Sequence, residues 1–174
     1  MGAWGAALMG FFGGVFAALT MHWQWHVAGV SLVYPFLISA LIGLMAAYVI
    51  RLPGQGIALS ERAEKAILWS SVAEGVGLFL AVNIAVNFGH LEWRLPAMAL
   101  IVGLHFLPIA IAASFRPFHA LGAALILSAI AGFAFGAPMG GEISGIMAAV
   151  SLWIAALLAV ARDRRTKRAT APAI

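Results

Sequence analysis

The sequence predicts an all-α integral membrane bundle of six transmembrane helices with both termini in the cytoplasm, and three observations carry that expectation. Of 174 residues, 64% are apolar and only 9% are charged, whereas soluble domains carry roughly a quarter charged residues. The mean hydropathy of +1.03 lies well on the membrane side. Apolar stretches then recur in series: a spanning helix takes about 20 residues, so six occupy ~120 positions and leave only short connections. Finally, the basic residues are placed with a strong bias. Arg51, Arg62, Lys65, Arg116, Arg162, Arg164, Arg165, Lys167 and Arg168 fall at one end of the predicted helices, and only Arg94 falls at the other. An excess of Lys and Arg marks the cytoplasmic side. The expected organisation is a single domain over residues 1–161 and a basic cytoplasmic tail over 162–174.

Helix 1 is expected over residues 2–20, followed by the aromatic cluster Met21-His22-Trp23-Gln24-Trp25-His26. Its start lacks the positive n-region of a signal peptide, and its apolar stretch exceeds an h-region, so it is read as a retained helix. Helix 2 is expected over 30–50, stopped by Arg51, Pro53 and Gly54, with Tyr34-Pro35 kinking its outer end. The polar segment after it holds Ser60 as an N-cap, with Glu61 and Glu64 in a first turn where the helix dipole favours acids. Helix 3 is expected over 66–88. Helix 4 spans 95–115 and opens with Pro96, whose missing N–H costs nothing in a first turn. Pro117 breaks the path, helix 5 covers 118–136, and a Pro138-Met139-Gly140-Gly141 turn leads to helix 6 over 143–161. Trp23, Trp25 and Trp93 fall at the outer interface and Trp69 near the inner one, as an aromatic belt requires.

Small residues recur at spacing four: Gly10 and Gly14 in helix 1, Ser71 and Gly75 in helix 3, and Ser128, Gly132 and Gly136 in helix 5. Such positions let helices approach closely in lipid. They also leave a homo-oligomer open, through the glycine-rich faces of helices 1 and 5. The pattern Ser39-Ala40-x-x-Gly43 in helix 2 returns as Ser128-Ala129-x-x-Gly132 in helix 5. An inverted transporter repeat would place them so, although so Ala- and Gly-rich a chain matches itself easily by chance.

Cysteine is absent, which excludes disulfides, thiolate metal sites and a cysteine nucleophile. The net charge of +4 does not imply nucleic acid, because half of the ten basic residues crowd the last fifteen positions directly after an apolar helix. The partners expected are the bilayer itself and anionic lipid headgroups at that tail. No cofactor is expected. The enzyme reading is the weakest, since the chain holds no Gly-rich phosphate loop, no Ser-centred nucleophile elbow and no HExxH.

Glu74 is the most informative residue. It lies about eight positions into helix 3, hence ~12 Å below the boundary at 1.5 Å per residue. A carboxylate at that depth costs several kcal/mol unless protonated, paired or hydrated, so it marks a functional site by default. The bland alternative is a neutral Glu that locks two helices together. His105 lies ~15 Å from the same boundary in helix 4, and sequence-adjacent helices tend to pack. A Glu–His pair can share one proton between two sites and serve a relay. Ser70 and Ser71 share the helical face of Glu74. Pro108, three residues after His105, frees a backbone carbonyl in the preceding turn, as in broken helices that line cavities.

A second polar group is expected at the outer surface. Asn83, Asn87 and His90 follow an i, i+4, i+7 spacing, and His22, Gln24, His26 and Glu92 belong to the outer connections. His22 and His26, joined by His90 or Glu92, have the residue types for a metal. No zinc signature is present, and interfacial His usually snorkels to water, so no metal is expected.

The segment Val102-Gly103-Leu104-His105-Phe106-Leu107-Pro108, after a helix with a buried Glu, resembles a family of small uncharacterised bacterial multi-pass inner-membrane proteins. The likeness covers helices 3 to 5. It implies an inner-membrane location and treats Glu74 and His105 as a unit, but it brings no substrate. Two functions stay open: a small transporter or channel for a proton, ion or small solute, and a non-transporting subunit whose buried polar pair only fixes helix packing.

Overall fold

The computed structural model describes residues 2–56 and 60–171. Within them lie α1 (Ala3–Trp23), α2 (Pro35–Arg51), α3 (Glu61–Asn87), α4 (Arg94–Ala112), α5 (Arg116–Phe135) and α6 (Met139–Thr170), with short 3₁₀ turns over Gly29–Val33 and Leu91–Trp93. Six helical spans, α2 joined with the turn before it (Gly29–Arg51) and α4 with the turn before it (Leu91–Ala112), are long and apolar enough to cross a membrane. The chain is an all-α, multi-pass membrane protein.

Local chemistry sets most of the helix starts. The Ser60 hydroxyl accepts a 3.3 Å bond from the Ala63 N–H, and Glu61 and Glu64 occupy the first turn of α3. Helix α3 therefore begins five residues before its apolar stretch, because the capping signal and not hydropathy decides where a helix starts. Pro35 opens α2 and does not kink it. The residue before it closes a 3₁₀ turn, so the predicted bend inside helix 2 is a junction between two elements. The Pro138 segment likewise leads directly into α6, which starts at Met139 rather than after Gly141.

The largest departure is at the other end of α6. Charges end the apolar stretch near residue 161, yet the helix runs on to Thr170. Ala, Arg and Lys are strong helix formers in water, so the helix need not end where the apolar stretch does. Its 32 residues span about 48 Å, well beyond the ~30 Å hydrocarbon thickness. The basic segment is thus structured through residue 170, and it is tied to its neighbours. Asp163, buried at 4% exposure, accepts a 3.0 Å hydrogen bond from the Ala3 N–H and so caps α1. Lys167 Nζ donates to the carbonyls of Ile50 at 2.7 Å and Leu52 at 3.2 Å, at the C-terminal end of α2. An acid at one helix N-terminus and a cation at another's C-terminus both complement the helix dipoles. The start of α1 and the end of α6 therefore share one end of the bundle.

Helix α6 is the centre of the packing, touching α1, α2, α4 and α5, while α1 also packs on α2 and α4 on α5. Phe16, Phe118, Leu95, Ile109, Leu125 and Leu152 fill the interior. Hydroxyls and an indole bridge helices: Ser39 Oγ to the Gly10 carbonyl at 2.7 Å, Ser144 Oγ to Ser128 at 2.7 Å, and Trp153 Nε1 to Gly10 at 3.1 Å. Such bonds supply association energy where lipid removes the hydrophobic drive. The spaced small residues divide sharply. Gly10 and Gly132 face close neighbours, whereas Gly43 and Gly75 face open space. Gly43 and Gly132, equivalent in the possible repeat, therefore have unlike surroundings.

Helix α3 stands apart. It leans on α4 and not on α2, its predecessor in sequence. Most of its large apolar side chains, Leu68, Trp69, Phe79 and Ile84 among them, are exposed.

Candidate functional site

The polar residues of α3 and α4 meet midway along both helices. His105 Nε2 lies 3.4 Å from Glu74 Oε2, with side-chain exposures of 7% and 15% respectively. The depth match expected for these two residues corresponds to a direct contact. On the other side of the ring, the Ser70 hydroxyl is 2.9 Å from His105 Nδ1 and 3.1 Å from the His105 carbonyl oxygen. A hydroxyl has one proton and two lone pairs. Both contacts are satisfied when Ser70 donates to the carbonyl and accepts from Nδ1–H. That arrangement leaves Nε2 as the basic nitrogen of the neutral ring, aimed at Glu74. The three side chains form a short line: hydroxyl, imidazole, carboxyl.

Why this sequence builds the line follows from helix spacing. Ser70 and Glu74 are one turn apart on α3, so both present to the same strip of α4. His105 fills the gap between them, and its ring edge packs against Phe106 with centroids 5.3 Å apart. Pro108 cannot donate to the Leu104 carbonyl one turn back, which leaves a backbone acceptor beside the site.

Two clefts flank the pair. The larger, about 450 Å³, runs between α3 and α4 and is lined by Ala66, Ser70, Glu74, Leu104, His105 and Pro108 among others. The smaller, about 80 Å³, lies on the inner side, where Ser71, Glu74 and His105 meet Gly5 and Met9 of α1 and Leu152 of α6. Glu74 and His105 line both and form the partition between them. Ser70 and Pro108 belong to the outer cleft and Ser71 to the inner one.

The outer group of candidates does not converge. Asn83 and Asn87 donate back to the carbonyls of Phe79 and Asn83 in their own helix. His22 Nδ1 sits 3.1 Å from the Val27 carbonyl, and His26 adopts a left-handed backbone with φ of 54° in the same connection. His90 pairs with Glu92 at 2.9 Å and stacks on Trp93 at 3.9 Å. Among the described residues no three His, Asp or Glu side chains group as metal ligands. What holds this end together was not singled out from sequence: Trp25 Nε1 donates to Glu142 at 3.0 Å, and the Arg94 guanidinium lies 4.1 Å over the Trp23 ring. Asp163 and Lys167 were missed likewise. The one available signal was a lone acid inside the basic run Arg162-Asp163-Arg164-Arg165.

Compared with protein families, curated proteins and solved structures, the chain has no significant match in any of the three. The comparisons thus show no family for the chain, the resemblance expected over helices 3 to 5 included, and function rests on the site.

Proposed function

We propose that this chain is a small transporter or channel of a bacterial inner membrane that moves a proton, alone or coupled to an ion or small solute, across the Glu74–His105 pair. The orientation taken is both termini in the cytoplasm, on the strength of the basic bias. One observation carries the proposal: an ionisable pair with a linked hydroxyl stands mid-helix as the wall between two clefts. Glu74 and Nε2 each bind a proton and lie 3.4 Å apart, a gap that a small side-chain movement closes to hydrogen-bond length. Ser70 holds the ring so that Nε2 faces the carboxyl.

Access of water to the pair is the first requirement. The chain has no cysteine, so Glu74→Cys creates a single thiol in reconstituted vesicles. Reaction with a membrane-impermeant thiol reagent is expected. Reaction only with lipid-soluble reagents would place the position in dry packing and sink the proposal.

One observation favours the non-transporting alternative: α3 has few other helices to lean on, so Ser70 and Glu74 also attach it to α4. In that case His105→Ala lowers the melting temperature in detergent markedly, and no flux distinguishes wild type from Glu74→Gln.

A further inference from the structure

The basic end of the bundle carries a further cleft with its own chemistry, independent of the Glu74 site. It holds about 340 Å³ between α2 and α6 and is lined by Leu44, Met45, Tyr48, Val49, Val160 and Arg164. Val49 and Val160 form a buried floor, while Leu44 and Tyr48 stand exposed at 69% and 58% as its wall. Arg164, exposed, follows Val160 by one helical turn and closes the end nearest the aqueous boundary. Arg51, also exposed, follows Tyr48 by three positions and so lies on the same side of α2. Among the described residues no acid lines the cleft.

Two neighbouring basic residues are engaged elsewhere, and Arg165 and Arg168 are exposed outside the cleft lining, which separates this position from a generic basic tail. Lys167 is bound to the Ile50 and Leu52 carbonyls, and Arg162 lies 4.4 Å over the Phe115 ring. Arg164 has an apolar groove beneath it and no acid beside it in that groove.

We propose that this groove binds one anionic phospholipid, with an acyl chain along Leu44, Met45 and Tyr48 and the phosphate at Arg164, supported by Arg51. A free phosphate would gain nothing from the apolar walls, and a zwitterionic lipid would fill the groove without using the charge. Each cation near an anionic surface contributes about 1 kcal/mol, and that term discriminates between lipids here.

The test is native mass spectrometry of the full chain in an uncharged detergent, titrated with phosphatidylglycerol, phosphatidylcholine and glycerol phosphate. One retained phosphatidylglycerol per chain is expected, with Arg164→Gln weakening it about fivefold. Arg164→Lys and Arg165→Gln, whose helical content circular dichroism verifies beforehand, are expected to bind nearly as wild type does. Equal retention of phosphatidylcholine would overturn the charge recognition. Equal retention of glycerol phosphate would overturn the groove. An Arg165→Gln loss as large as that of Arg164→Gln would reduce the site to diffuse attraction and overturn it as well.

Discussion

At the scale of single residues, Glu74 was legible in the sequence because an acid in an apolar helix has no cheap explanation. His105 was legible through depth alone. The hydroxyl that orients the ring was only partly so: Ser70 and Ser71 look equivalent in the sequence, and the helix rotation decides that Ser70 meets the imidazole while Ser71 lines the inner cleft. Ser70→Ala should therefore release the ring and reduce any proton flux several-fold, whereas Ser71→Ala should leave it nearly intact. Equal effects would show that Ser70 does not position His105. Glycines make a second contrast. A Cβ at Gly132 would meet Ser144, Pro96 and the Gly140 carbonyl, while one at Gly75 meets nothing within 4 Å. Gly132→Ala is expected to cost about 1–3 kcal/mol as overpacking, read as a lower melting temperature in detergent. Gly75→Ala should leave the melting temperature unchanged or slightly raised in the same assay, because Ala is the better helix former.

Among the helices, the six spans were readable from hydropathy, but their ends were not. Hydropathy reports where lipid ends, and backbone capping reports where a helix ends. The two differ most in α6, whose charged last turns continue the helix and reach α1 and α2 through Asp163 and Lys167. Contacts across more than a hundred positions leave no local pattern for a sequence to display. Lys167→Met removes a cation from the end of α2 and is expected to cost about 1 kcal/mol. Faster amide exchange confined to residues near Leu52 would be the signature. Unchanged exchange there would mean that the Lys167 bonds are not maintained in solution. Helix α3 shows a different limit: the exposure of its apolar side chains and its packing on α4 rather than α2 depend on the whole bundle, and no periodicity in its own residues announces them.

For the whole molecule, the basic bias predicts orientation, and the absence of cysteine makes this easy to check. A thiol at Arg168 should react from the cytoplasmic side and one at Leu91 from the opposite side; the reverse pattern would invert the topology. The central claim concerns the pair that separates the two clefts. Its most direct test is purified protein in liposomes loaded with a pH-sensitive dye, under imposed pH and ion gradients, with Glu74→Gln beside wild type. Flux in wild type that disappears in a Glu74→Gln protein of unchanged melting temperature is the result expected. Identical dye traces for the two proteins, whether both conduct or neither does, would contradict a proton path through Glu74 and leave the pair as a clasp between α3 and α4.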